Sequence, residues 1–160
     1  MPSKTFLNLN KEKRERIIKA GLYEFALNRY KVASLSKIVK KANISKGSIY
    51  RYFDNKKDFY LFLVEIAVKK KLDYIEKNLE KDQDFFMTIK EIHLIGLEFD
   101  LTYLKYSGLI SHFTNETTTE EIKDEIKPAL KKTREFVKKY VLKAKEKGVI
   151  KKDIDVDLVT

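Results

Sequence analysis

The chain has 160 residues, 43% of them hydrophobic, and a formal net charge of +10. It contains no Cys, which excludes a disulfide framework, thiolate zinc sites and Cys nucleophiles. No apolar stretch is long enough to span a bilayer or to serve as a secretory signal, so we expect a cytoplasmic protein without membrane contact.

The positive charge is concentrated in the first part of the chain. Residues 1–70 contain 17 Lys and Arg against 6 Asp and Glu, a net charge of +11, whereas residues 71–160 contain 17 and 18, a net charge of −1. A localised excess favours a polyanion as partner. The alternative is an ordinary solvated basic surface.

Long stretches of helical periodicity, with only five Gly and two Pro, predict an all-α fold. Asn10 is a suitable cap for a first helix that ends near Asn28. Gly21, in the middle of that helix, either allows another helix to approach closely or is merely tolerated. The predicted buried face consists of Ile17, Ile18, Gly21, Leu22 and Phe25.

Residues 34–56, SLSKIVKKANISKGSIYRYFDNK, have the pattern of a helix-turn-helix. Ser34 and Ser45 are suitable N-caps, and Asn43 tolerates the left-handed conformation that a sharp turn between helices needs. In the second helix Ile49 and Phe53 are expected to face inward. The remaining side chains, which include no carboxylate and suit a helix that enters the major groove, are expected to face outward: Lys46, Gly47, Ser48, Tyr50, Arg51 and Tyr52.

Asn55 begins a long fourth helix without a linker, so the basic segment and the following part share one rigid element. Residues 85–113 have apolar side chains on nearly every side of a helix and are predicted to be mostly buried. They form either core alone or core with a cavity for an apolar or amphipathic molecule. The candidate cavity residues are Phe62, Ile66, Ile92, Gly96, Leu97, Tyr103 and Tyr106.

The last clear helix is predicted from Thr117 to Gly148, with Thr117 or Thr118 as cap and a kink at Pro128. A further N-terminal helix signal follows at Asp155, with Asp157, Leu158 and Val159 after it. A helix of so few residues is unstable alone, so we expect the 160 residues to be part of a longer protein.

Residues 14–63 resemble the DNA-binding domain of the TetR/AcrR family of bacterial transcriptional regulators. The motifs that carry the resemblance are RxxIIxAGLxxF and YxxxSLSKIVKKANISKGSIYRYFDNKKDFY. The resemblance implies an N-terminal helix-turn-helix domain, residues 1–54, joined through the long fourth helix to a helical ligand-binding and dimerisation domain, residues 55–160. That second domain lacks the two C-terminal helices of the family's dimer interface, so we expect these 160 residues to dimerise weakly or not at all.

The same resemblance implies a ligand-responsive repressor that binds a palindromic operator in double-stranded DNA as a homodimer. Lys46, Gly47 and Ser48 match positions that contact bases or phosphates, and Tyr50 and Tyr52 match phosphate contacts. Arg51 points toward a guanine edge at a variable family position. Further phosphate contacts are implied for Ser34, Ser36 and Lys56.

The sequence offers little that is typical of an enzyme: Tyr52 and Lys56 fit a YxxxK pattern, but no dinucleotide-binding strand-turn-helix accompanies it. The glycines stand far apart, HExxH and GxSxG are absent, and two His with no Cys make a transition-metal site unexpected. We therefore expect no enzymatic activity, cofactor or metal. The alternative function is an architectural or adaptor protein of the same fold that acts mainly through a protein partner.

Overall fold

The computed structural model describes residues 1–80, 84–116, 120–151 and 153–156, except the side chains of residues 127 and 129. Eight helices, and no strands, are found in these ranges. They are α1 (Lys4–Leu7), α2 (Lys11–Leu27), α3 (Leu35–Lys41), α4 (Lys46–Tyr52), α5 (Lys56–Asn78), α6 (Phe85–Thr102), α7 (Leu104–Thr114) and α8 (Lys123–Glu146). The predicted all-α class is confirmed. Because α1 precedes the first predicted helix, the predicted fourth helix is α5.

Side-chain caps fix the starts of α2, α3, α4 and α5, as predicted. Asn10 Oδ1 accepts a hydrogen bond from the backbone N–H of Lys13 at 2.8 Å. Ser34, Ser45 and Asn55 cap α3, α4 and α5 in the same way. Each cap satisfies an N–H that has no partner within its own helix, so these boundaries follow from local chemistry.

A first hydrophobic core joins the helix-turn-helix to α5 and α7. Phe25, Ile38, Phe59 and Phe113 are all fully buried in it. The rings of Phe53 and Phe59 lie 4.6 Å apart between centroids. The helix-turn-helix therefore does not have a core of its own, because α5 contributes side chains to the same core.

A second, smaller core lies farther along α5. Ile75 of α5 packs with Ile92 and Ile95 of α6, and Phe136 and Tyr140 of α8 cover them. The cluster ties α5, α6 and α8 together at the end of the molecule away from the helix-turn-helix.

The outer face of α6 departs from the prediction that residues 85–113 are mostly buried. The helix packs on α5 and α8 with one side only, and no described element covers the other. Six large apolar side chains of this segment are between 49% and 79% exposed: Phe86, Met87, Leu94, Leu97, Leu101 and Leu104.

The last long helix begins later than predicted. The predicted caps Thr117 and Thr118 lie outside the described residues, and so do Asp157, Leu158 and Val159 of the helix signal predicted to begin at Asp155. α8 begins at Lys123 because Ile122 is fully buried in the first core and residues 120–122 form a turn. The helix continues through Pro128 without a break, and Gly148 has a φ of +70° just after its end, as predicted; the kink at Pro128 stays a prediction.

Gly21 allows the close helix approach that was one of its two predicted uses. A Cβ atom at this position would lie 2.6 Å from both Leu63 Cδ1 and Phe59 Cζ of α5. We predict that Gly21→Ala lowers the free energy of unfolding by about 1–3 kcal/mol through overpacking. The measurement is urea denaturation followed by circular dichroism.

Gly96→Ala is the matched control in the middle of α6. Its Cβ would have no neighbour closer than 3.7 Å, so it should be neutral or stabilise by up to about 1 kcal/mol through helix propensity. Equal stability of the two variants would contradict the close packing of α2 on α5.

Candidate nucleic-acid interface

The turn between α3 and α4 is tight and held from inside. Asn43 has a φ of 50°, in the left-handed region that Asn tolerates better than most residues. The backbone N–H of Ile44 donates to Val39 O at 3.1 Å, and the Ile44 side chain packs on the first core. The angle between the two helices is therefore set by the predicted residues.

The outward side of α3 and α4 is basic and aromatic. Ser36, Lys46, Gly47 and Arg51 are exposed, and Tyr50 is 50% exposed. Neither helix contains a carboxylate. We call these five residues the recognition face. Gly47 has no atom within 4 Å of where its Cβ would lie, so internal packing does not require a glycine there.

Ser48 was predicted to point outward, and that orientation is wrong. Only 7% of Ser48 is exposed, and its hydroxyl lies 2.8 Å from that of Ser45 at the helix cap. Arg51 Nη2 also donates to Ser48 Oγ, at 3.5 Å. Ser48 thus supports the start of α4 and the Arg51 side chain from the inner side.

Tyr52 is also buried, with 3% exposure, against the prediction that it faces outward. The reason is that α1, a helix absent from the sequence prediction, packs against Tyr52. Phe6 of α1 is fully buried with its ring centroid 5.8 Å from that of Tyr52. Ser3 fixes this contact, since its hydroxyl donates to Arg51 O at 2.8 Å and its N–H donates to Tyr52 O at 2.9 Å. A Ser three residues before Phe6 was the available signal.

Ser34 and Lys56 are half-buried at the edge of the recognition face. Ser34 accepts the N–H of Lys37 as N-cap at 3.4 Å, and its own N–H donates to Glu24 Oε1 at 2.9 Å. The Lys56 ammonium group donates to Lys31 O at 3.3 Å. Both residues lie at the start of a helix, as predicted: Ser34 caps α3, and Lys56 is the first residue of α5. The Lys56 ammonium group, however, points toward Lys31 O and not into solvent.

The seven predicted cavity residues divide among different environments. Phe62 and Tyr106 pack against the first core, and Ile92 belongs to the second. Gly96 is buried next to Lys71 and Ile75 of α5. Ile66 and Tyr103 line a shallow surface depression.

Leu97 is 60% exposed on the outer face of α6, so its predicted place inside a cavity is wrong. The reason is the one-sided packing of α6. A larger cavity, of about 610 Å³, lies instead between α5, α6 and the end of α8, where Leu79, Phe85, Tyr140 and Ala144 contribute to its wall.

Residues 17–62 match the family described as bacterial regulatory proteins, tetR family. The chain also resembles the HTH-type transcriptional regulator YvdT of Bacillus subtilis, with 34% identity over 102 residues, which cover 61% of this chain and 53% of that protein. A solved TetR family transcriptional regulator from Chloroflexus aurantiacus superposes with a TM-score of 0.71 at 28% identity, over 99% of this chain and 73% of that one. These matches support membership of the TetR family.

Two further matches are to regulators of B. subtilis. The fatty acid metabolism regulator protein of B. subtilis is 36% identical over 84 residues, which cover 51% of this chain and 41% of that protein. The structure of FadR from B. subtilis in complex with stearoyl-CoA has the same fold, with a TM-score of 0.74 at 23% identity over 90% of this chain and 77% of that one. The chain spans about half the length of YvdT and 41% of the length of the fatty acid metabolism regulator protein.

In the described ranges, no helix has both the length and the apolar character needed to cross a membrane. The same ranges contain no cluster of three or more side chains suited to bind a metal ion.

The two tyrosines of α4 allow a direct test of the observed orientation. We predict that Tyr52→Ala lowers the free energy of unfolding by about 3–5 kcal/mol, as loss of a buried aromatic side chain does. Tyr50→Ala, two positions away on the exposed side, should change it by no more than about 0.5 kcal/mol. Urea denaturation of both variants provides the measurement, and equal losses would contradict the burial of Tyr52 under α1.

Proposed function

We propose that the protein is a cytoplasmic transcriptional regulator of the TetR family that binds double-stranded operator DNA through α4. In this proposal it acts as a repressor, binds a palindromic operator as a homodimer, and releases it when a small amphipathic effector binds. Residues 1–54 serve as the DNA-binding domain, and residues 55–160 carry the effector site and dimer contacts. The observation that supports this most directly is the recognition face, which offers cationic, hydroxyl and aromatic groups without a carboxylate.

The proposed contacts divide into two groups. Lys46 and Arg51 are exposed on α4 with long donor side chains, so they are suited to base edges, where Lys and Arg pair with guanine. Gly47 leaves room for the DNA backbone to approach. Ser34, Ser36, Tyr50 and Lys56 are assigned to phosphates, which fix the register of the protein on the duplex but carry little sequence information.

The buried residues of α4 have indirect roles in this proposal. Ser48 and Tyr52 do not reach DNA as the structure stands; they hold Arg51 and the end of α4 in place. Substitution of either should therefore affect binding through the position of the helix rather than through a lost contact.

The phosphate assignment predicts a change in salt dependence. Tyr50→Ala and Lys56→Ala should weaken binding to operator and random duplexes alike, since phosphate contacts are independent of sequence. Lys56→Ala should also flatten the slope of log K against log salt by about one unit, because it releases one counterion fewer. The measurement is fluorescence anisotropy with labelled duplexes between about 50 and 200 mM salt.

Lys90→Ala on the exposed surface of α6 is the control, because it removes the same charge far from α4. An unchanged slope and affinity for Lys56→Ala would contradict the phosphate contact. Weak binding with a steep salt dependence and no preferred sequence would instead favour the adaptor alternative, with a protein as the main partner.

We further propose that the effector occupies the cavity between α5, α6 and α8. Its volume of about 610 Å³ is within the usual range for small-molecule sites. Leu79, Phe85 and Tyr140 supply apolar surface, and the wall also carries the cations Lys143 and Lys147 and the carboxylates Glu76, Glu80 and Asp84. Apolar surface beside charged groups of both signs suits an amphiphile, and stearoyl-CoA, present in complex with B. subtilis FadR in its solved structure, is a probe of that class.

Filling the cavity tests this site. We predict that stearoyl-CoA raises the Tm of the protein and that Ala144→Phe removes this shift, because Ala144 is buried in the cavity wall. The measurement is differential scanning fluorimetry with and without the ligand, with DNA affinity of the unliganded variant as a control for folding. Equal shifts in parent and variant would place the ligand elsewhere, and no shift in the parent would contradict this class of effector.

A further inference from the structure

The turn before α8 lies against the DNA-binding part of the chain. Glu121 Oε2 accepts a hydrogen bond from the Tyr30 hydroxyl at 2.6 Å, and Glu116 Oε2 accepts one from the Tyr30 backbone N–H at 3.4 Å. Tyr30 lies in the connection between α2 and α3 and is 4% exposed. Two side chains between α7 and α8 thus hold the loop that leads into the helix-turn-helix.

Tyr30 also contacts Lys56. The Lys56 ammonium nitrogen lies 4.7 Å from the centroid of the Tyr30 ring, within the range of a cation–π interaction. A carboxylate that accepts a hydrogen bond from a phenol hydroxyl polarises the O–H bond. The oxygen and the ring then carry more electron density. Glu121 therefore strengthens the hold of Tyr30 on Lys56, and these three side chains line one surface depression.

The local charges favour the same inward position. Burial lowers the pKa of Lys56, and the negative charges of Glu121, Glu116 and Glu24 oppose that shift. The neighbouring Lys57 is bound by Glu125 of α8 at 2.8 Å. Both cations at the start of α5 thus face carboxylates, which compete with DNA phosphates for the same ammonium groups.

We propose that Glu121 is a positioning residue that holds the Lys56 ammonium group against Tyr30 and so limits the affinity of the protein for DNA. This inference rests on the proposed function, in which Lys56 contacts a phosphate. When DNA binds, Lys56 leaves the Tyr30 ring and Lys31 O for the phosphate, and the attraction of Glu121 opposes that movement. Glu121 itself touches no DNA.

Two neighbouring charge-neutralising substitutions separate this effect from a change in net charge. Glu121→Gln removes the negative charge but keeps an oxygen that can accept the Tyr30 hydroxyl. Glu120→Gln removes the same charge one residue away, from a side chain that is 82% exposed and paired with Lys123. Anisotropy titrations with operator and random duplexes should show affinity raised about 3- to 10-fold by Glu121→Gln and less than about 2-fold by Glu120→Gln.

The background of Lys56→Ala provides the decisive comparison. In that background Glu121→Gln should change DNA affinity no more than Glu120→Gln does, because the Lys56 ammonium group for which Glu121 and the phosphate compete has been removed. Equal effects of the two Gln variants in the parent would overturn the proposal. A gain from Glu121→Gln that persists without Lys56, or a loss of affinity in Glu121→Gln, would also overturn it.

A measurement on the free protein distinguishes failure of this inference from failure of the proposed function. In NMR spectra that detect lysine ammonium groups, Lys56 should be protected from rapid solvent exchange in the parent and in Glu120→Gln, and less so in Glu121→Gln. Unchanged protection in Glu121→Gln would show that Glu121 does not hold Lys56, whatever the DNA result. The expected NMR change with no DNA binding by any variant would contradict the proposed function instead.

Discussion

The close packing of α2 on α5 at Gly21 is the contact on which the rest of the structure depends. Phe59 and Leu63 occupy the space where a Cβ would stand, and the ring of Phe53 lies directly on Phe59. The core of the helix-turn-helix is thus completed by a helix of 23 residues, whose later part extends away from it. Any tilt of α5 must move α3 and α4 as well, because closely packed interiors transmit displacement rather than absorb it.

A second rigid connection runs beside the first. α8 lies parallel to α5, and three ion pairs join them in register: Lys57 with Glu125, Glu65 with Lys132 and Glu76 with Lys139. Exposed pairs of this kind add little stability, but they fix how the helices align. One end of α8 forms a wall of the 610 Å³ cavity, and the turn before its other end holds Tyr30. The proposed effector site and the proposed DNA contacts therefore lie at opposite ends of the same pair of helices, which offers a route between them.

The sequence could predict what local chemistry decides. The caps, the left-handed Asn43 and the continuous α8 at Pro128 depend on residues within a few positions, and the structure confirms them. What it could not predict depends on distant partners. Tyr52 is buried because Phe6 covers it, α8 begins late because Ile122 enters the first core, and Leu97 is exposed because α6 packs with one side only. Helical periodicity identifies an apolar face but not which elements are present to cover it.

Selection from random double-stranded DNA is the sharpest test of sequence-specific binding through α4. We expect the protein to enrich one sequence motif and Lys46→Ala or Arg51→Ala to alter the preferred bases, since each base contact contributes about 1–3 kcal/mol of discrimination. Tyr50→Ala should retain the same motif with lower affinity, because a phosphate contact carries no sequence information. Absence of an enriched motif, or the same motif from the parent and both α4 cation variants, would contradict the account.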